Sequence, residues 1–82
     1  MTKGSTVKVY PHGSPQKSAH ATVLVACKTA VMLAFADKPP FAILREGIML
    51  HPDHGIVMMV QRYEIGPWFE IFGGGHYEIE EL

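Results

Sequence analysis

The chain has 82 residues, 48% of them hydrophobic and 10% aromatic, a composition that excludes a disordered chain. Its net charge is −1 at pH 7 and its seven basic residues form no cluster, which argues against nucleic-acid binding. We predict a single domain over residues 1–82, with 1–5 as the segment most prone to disorder. A lone cysteine suits a reducing compartment, and the first residues lack the apolar segment of a signal peptide, so we expect a cytoplasmic protein.

The first predicted element is a short strand over residues 6–10. Val7 and Val9 alternate there with Lys8 and Tyr10, which is the period of a strand with one buried face. We place this strand at an edge of the sheet. Turn-forming residues at 11–13 end it.

A long helix is predicted over residues 15–36. Ser14 can cap its first turn, and Pro15 fits the first helical position. Pro39 and Pro40 end it, because a proline disfavours the α conformation in the residue before it. Between these signals there are six alanines and no glycine or proline. One side of the helix is apolar, formed by Val23, Leu24, Cys27, Val31, Ala34 and Phe35.

Two other interpretations of this segment stay open. A membrane span over 19–36 has nearly enough length, but Lys28 lies near its centre and no aromatic anchors flank it. Two strands, over 22–27 and 30–36, are favoured by the valines. We prefer the helix, packed on a sheet.

Four further strands are predicted after the prolines, joined by turns at 51–55, 64–67 and 73–75. They cover residues 41–50 (with a bulge at 45–47), 56–63, 68–72 and 76–80. The strand at 56–63 begins apolar on both faces, so we expect it to be covered on both sides. The predicted class is α+β, with one long helix (15–36) on a curved antiparallel sheet of four to five strands in the order β-α-β-β-β-β.

Few residues suggest reaction chemistry. His51, Asp53 and His54 are weak candidates for a zinc or nickel site, because the turn they occupy already explains the aspartate and a further ligand would have to come from His76 or Glu78. We predict no metal and no cofactor. Cys27 is interpreted as a buried small residue with a raised pKa. Without a nucleophile or a carboxylate pair, the sequence leans away from an enzyme without deciding the matter.

Charge and aromatic residues instead suggest an interaction surface. Residues 1–45 carry six basic and one acidic residue, whereas 46–82 carry seven acidic and one basic residue. Aromatic side chains in the last third alternate with carboxylates, which favours a protein interface and disfavours nucleic acid. The predicted interaction surface consists of Met58, Tyr63, Glu64, Trp68, Glu70, Phe72, Tyr77, Glu78 and Glu80.

We therefore expect a small non-enzymatic protein-interaction module that self-associates as a homodimer and engages another protein through this acidic and aromatic surface. Regulators and inhibitors carried by phages and mobile elements include chains of this kind. The alternative is a small-ligand-binding domain or minimal enzyme with a pocket between helix and sheet, whose reactive groups would come from His20, His76, Tyr77 or Glu78. Neither nucleic acid nor a membrane is expected as a partner.

Overall fold

The computed structural model describes residues 1–36, 39, 48–65 and 77–82. Within these residues the chain forms one six-stranded antiparallel sheet and two short 3₁₀ turns. The strands are β1 (Thr6–Pro11), β2 (Ala19–Ala26), β3 (Ala30–Phe35), β4 (Ile48–His51), β5 (Gly55–Gln61) and β6 (Tyr77–Glu81). The predicted α+β class is therefore wrong, because the described part of the chain is an antiparallel sheet.

The long helix predicted over residues 15–36 is also wrong. Strands β2 and β3 occupy most of this segment and pair as an antiparallel hairpin. The start signals at Ser14 and Pro15 begin only the 3₁₀ turn Pro15–Lys17, and the Ser14 side chain makes no capping hydrogen bond there.

Alternating burial explains why this segment is extended. Along β3 the buried residues are Val31, Leu33 and Phe35, and partly exposed residues lie between them. This period of two belongs to a strand with one face on a core. Alanine exceeds most other residues in helix propensity by at most about 0.7 kcal/mol, so tertiary packing can override it. The alternative interpretation, two strands over 22–27 and 30–36, is correct in kind, and the observed strands span Ala19–Ala26 and Ala30–Phe35.

The strands lie in the order β4-β5-β3-β2-β1-β6. The last strand therefore pairs with the first, with Ile79 opposite Val9, and β1 lies between two neighbours instead of at the predicted edge. Of the meander predicted after the prolines, the pairing of the strands at 41–50 and 56–63 is confirmed as that of β4 with β5, and the remaining pairings involve 68–72. The strand predicted over 68–72 lies outside the described residues, as does the 41–47 part of the strand predicted over 41–50.

One face of the sheet, called here the inner face, holds the core. A parallel bridge between Ile65 and Tyr77 shows that the sheet is rolled around this face. Ile65 lies beyond the end of β5, and Tyr77 belongs to β6. Strands β5 and β6 are separated by β3, β2 and β1 in the sheet, so this bridge draws its two sides together. The core consists of Val7, Val9, Ala21, Val23, Val31, Leu33, Phe35, Met58 and Val60.

Strand β5 is buried on both faces. Met58 and Val60 are fully buried in the core on the inner face. Val57 lies between them in sequence, on the opposite or outer face, and is also fully buried. The expectation that this strand is covered on both sides is confirmed at these positions.

The hairpin predicted at residues 51–55 is confirmed. Strands β4 and β5 pair with His51 opposite Gly55. Gly55 has φ +76, a backbone conformation that glycine adopts more readily than other residues do. Among the described residues, the structure has no helix with the length and hydropathy required to cross a membrane.

Candidate functional site

The outer face of β1 and β6 carries a group of polar and charged side chains, which we call the β1–β6 strip. It consists of Lys8, Tyr10, His12, Glu78 and Glu80. The antiparallel register places Lys8 opposite Glu80 and Tyr10 opposite Glu78. The strip exists because the alternation in β6 turns Ile79 toward the core, so its two neighbours point outward.

Short hydrogen bonds connect the two strands of the strip. The Tyr10 hydroxyl donates to Glu80 Oε1 over 2.7 Å, and His12 Nδ1 lies 2.8 Å from Glu78 Oε1. The Lys8 ammonium lies 5.6 Å from the centroid of the Tyr10 ring, within the range of a cation–π contact. These contacts hold the aromatic ring and both carboxylates in fixed positions on an exposed surface.

The carboxylates of the strip shift the titration of its tyrosine. The hydrogen bond to Glu80 raises the pKa of the Tyr10 hydroxyl, and the negative charges of Glu80 and Glu78 add to this effect. The phenol therefore stays neutral, as a hydrogen-bond donor, beyond its ordinary pH range.

A third carboxylate of β6, that of Glu81, lies 2.8 Å from the amino group of Met1.

Only part of the predicted interaction surface is brought together. Glu78 and Glu80 lie on the strip, and Tyr77 lies half-buried on the same strand, packed against the core on the inner face. Met58 is fully buried in the core, so its side chain is not on the surface. Trp68, Glu70 and Phe72 lie outside the described residues, and so does the side chain of Tyr63.

Glu64 has a local structural role. Its carboxylate accepts a hydrogen bond from the backbone N–H of Gln61 over 2.7 Å, and the Gln61 side chain in turn accepts one from the backbone of Glu64. This reciprocal capping box fixes the 3₁₀ turn Arg62–Glu64 at the end of β5. Only 8% of Glu64 is exposed, so this residue caps the turn and offers little surface to a partner.

Three residues of the strip were absent from the sequence prediction: Lys8, Tyr10 and His12. The alternation of 6–10 shows that Lys8 and Tyr10 share a face, but not that this face is shared with Glu78 and Glu80. That information lies in the pairing of β1 with β6, across more than sixty residues of sequence. The sequence alone shows only which residues of each strand point away from the core.

The weak metal candidates occupy the β4–β5 hairpin. The rings of His51 and His54 have centroids 4.7 Å apart, and the backbone N–H of Asp53 donates to His51 Nδ1 over 3.1 Å. This bond uses the one lone pair that a neutral imidazole offers to a metal. In the part of the chain that the structure describes, no three metal-ligating side chains come together.

Cys27 is exposed in the loop between β2 and β3, so its interpretation as a buried residue is wrong. Its sulfur lies 3.6 Å from the Thr29 hydroxyl and 3.4 Å from the carbonyl oxygen of Ala30. The Thr29 hydrogen bonds lower the pKa of the thiol, with a smaller contribution from the nearby Arg62 guanidinium. The expected rise in pKa is therefore also wrong, because it assumed an apolar helical environment.

Comparison of the chain with protein-family models, with curated protein sequences and with solved structures gives no match in any of the three.

Proposed function

We propose that this chain is a small non-enzymatic protein-interaction module that binds a basic protein partner through the β1–β6 strip. The observation that carries the proposal is a pair of cross-strand hydrogen bonds on the outer face of β1 and the outermost strand β6, one between Tyr10 and Glu80 and one between His12 and Glu78. Tyrosine contributes a rigid amphipathic contact at low entropic cost, and tyrosines are enriched in protein interfaces. The module is proposed to act in the cytoplasm and to self-associate.

The charge of the strip determines which partners fit. Glu78, Glu80 and Glu81 give β6 three carboxylates within four residues, and β1 contributes only Lys8 opposite them. Complementary charge around an interface speeds association and disfavours partners of the same sign. We therefore expect a partner surface with lysine or arginine residues, and we expect salt to slow its association.

The described residues give less support to the alternative, a small-ligand-binding domain or minimal enzyme. That alternative needed a pocket between the helix and the sheet, and the helix at 15–36 is replaced by strands. His20 is exposed on the outer face of β2, and Lys8 lies between it and Glu80 in the cross-strand row. Tyr77 projects to the inner face instead, so these three described groups do not converge, and His76 lies outside the described residues.

The test begins with capture of partners from the native host, followed by binding measurements with the purified partner. Replacing Glu78 and Glu80 together by glutamine retains their size and removes both charges. If each exposed charge pair contributes about 0.7 kcal/mol, the double variant loses about 1.4 kcal/mol and should bind roughly tenfold more weakly. Wild-type affinity should also fall as salt is raised.

Asp53→Asn supplies the matched control, since Asp53 is an exposed carboxylate in the β4–β5 hairpin, away from β6. This variant should bind the partner as the wild type does. The proposal would be overturned if the double glutamine variant kept full affinity, or if Asp53→Asn weakened binding equally.

A further inference from the structure

Among the described strands, the two outermost, β4 and β6, have opposite chemistry. Strand β6 carries three glutamates among its five residues, whereas the four residues of β4 are isoleucine, methionine, leucine and histidine. Proteins usually protect an edge strand with charge, proline or a bulge, because its unpaired backbone groups would otherwise recruit another strand. By this criterion β6 is protected and β4 is not.

The exposed apolar side chains of β4 support this contrast. Leu50 is 85% exposed and Met49 is 45% exposed. As consecutive strand residues they project to opposite faces, so both faces of the edge carry exposed apolar surface. Within the described residues β4 pairs with β5 and with no other strand.

The outer face next to β4 is apolar as well. One cross-strand row runs through Ala34, Val57 and Met49, so it ends at the edge itself. The neighbouring row holds Met32 and Met59. Methionine side chains adapt to irregular contacts and are common on binding surfaces. Val57 is already fully buried within the chain, so the exposed apolar surface of this row that a further strand beside β4 would contact is that of Met49.

Charge determines which strand can be added. Pairing of β6 with a second β6 would bring Glu78, Glu80 and Glu81 of two copies together, and like charges on facing strands are destabilising. Pairing of β4 with β6 of another copy would leave those carboxylates against an uncharged strand. Such a head-to-tail contact produces rings or open filaments instead of a closed dimer. Two β4 strands paired antiparallel oppose no like charges and close at two chains.

We infer that a second copy of this chain pairs through β4, antiparallel and about a two-fold axis, to give a continuous sheet across the dimer. The inference deepens the self-association included in the proposed function, and it assigns that self-association to the edge opposite the β1–β6 strip. Backbone hydrogen bonds supply the pairing, and Met49 and Leu50 supply the apolar contact on the two faces.

The first test is the mass in solution over a range of protein concentrations, by light scattering or sedimentation. The wild type should have the mass of two chains of 9.1 kDa, and Leu50→Lys should have the mass of one while keeping the circular dichroism of the wild type. Leu82→Lys is the matched control, since Leu82 is an apolar residue 68% exposed next to β6, and this variant should stay dimeric.

A cross-link test does not depend on dissociation. In a Cys27→Ser background, Met49→Cys and Leu50→Cys are made singly, and the one nearer the two-fold axis should give a covalent dimer on mild oxidation. Leu82→Cys in the same background should give none. A wild type that is monomeric at every concentration would overturn the inference and would mean that something other than a second copy covers β4. A dimer that survives Leu50→Lys and yields no cross-link at 49 or 50 would overturn it too.

The two proposals can fail separately. Dimer mass reports on β4, and the affinity of the glutamine double variant for a basic partner reports on β6. A monomer that still binds its partner through Glu78 and Glu80 would overturn the inference and leave the proposed function intact.

Discussion

Replacing Leu33 by alanine should destabilise the fold far more than the same replacement at Leu24. Leu33 lies at the centre of β3, fully buried, with Val23 and Met58 opposite it on the two neighbouring strands. Leucine-to-alanine changes at such sites cost about 2 to 5 kcal/mol, and we expect about 3 kcal/mol here. Leu24 is only half-buried, at the irregularity between Val23 and Val25, so its loss should cost about 1 kcal/mol.

The measurement is urea unfolding followed by circular dichroism. For a denaturant slope of about 2 kcal/mol/M, the midpoint should fall by about 1.5 M for Leu33→Ala and by about 0.5 M for Leu24→Ala, with the slope unchanged. The pair distinguishes the sheet from the predicted helix, because the helix placed Leu24 on its apolar side and left Leu33 off it. A Leu24→Ala variant at least as destabilised as Leu33→Ala would refute the assignment of β2 and β3.

Three further predictions concern titration and backbone conformation. The Cys27 thiol should react with a disulfide reagent with a pH midpoint below that of free cysteine, and Thr29→Val should raise this midpoint, because Thr29 lowers the pKa; equal midpoints in the two proteins would contradict this cause. Ultraviolet titration of tyrosinate should place the Tyr10 pKa above its ordinary value, and Glu80→Gln should lower it. The stability that this raised pKa contributes should be complete below the unfolded-state pKa and should disappear as pH rises through the folded-state pKa. If a Tyr10→Phe variant lost the same stability at alkaline pH, another group would be its cause. Gly55→Ala should cost about 1 kcal/mol in thermal unfolding, because alanine is strained at φ +76, while its Cβ would make only an ordinary contact with the Phe35 carbonyl oxygen; an unchanged midpoint would exclude this strain.

Local patterns predicted those parts of the fold that depend on neighbouring residues. The alternation of 6–10 gave β1, and the turn formers at 51–55 gave the β4–β5 hairpin. The run of apolar residues from 56 gave a strand buried on both faces. In each case the deciding interaction lies within one strand or one turn, where periodicity and turn chemistry are direct evidence.

The segment 15–36 was predicted wrongly because two kinds of local evidence conflicted. Alanine content, Ser14 and Pro15 favoured a helix, whereas the valines favoured strands. The conflict is resolved by contacts with residues far away, since Leu33 of β3 packs between neighbours that include Met58 of β5. Propensity differences of tenths of a kcal/mol are small beside the burial of such side chains.

The site could be predicted only in part for a related reason. Glu78 and Glu80 were selected by their alternation, and they do lie together on the outer face. Tyr10 and His12 could be added only by knowing that the last described strand pairs with the first. A sequence pattern gives the phase of each strand but not its neighbour, so three of the five residues of the β1–β6 strip were missed.

The pairing of β1 with β6 underlies both the fold and the proposed function, and nuclear Overhauser contacts between backbone protons of the two strands test it most directly. We predict cross-strand contacts centred on Val9 and Ile79, together with extended-chain patterns over 19–26 and 30–35. Sequential helical contacts over residues 15–36, with no contact between Val9 and Ile79, would contradict the account.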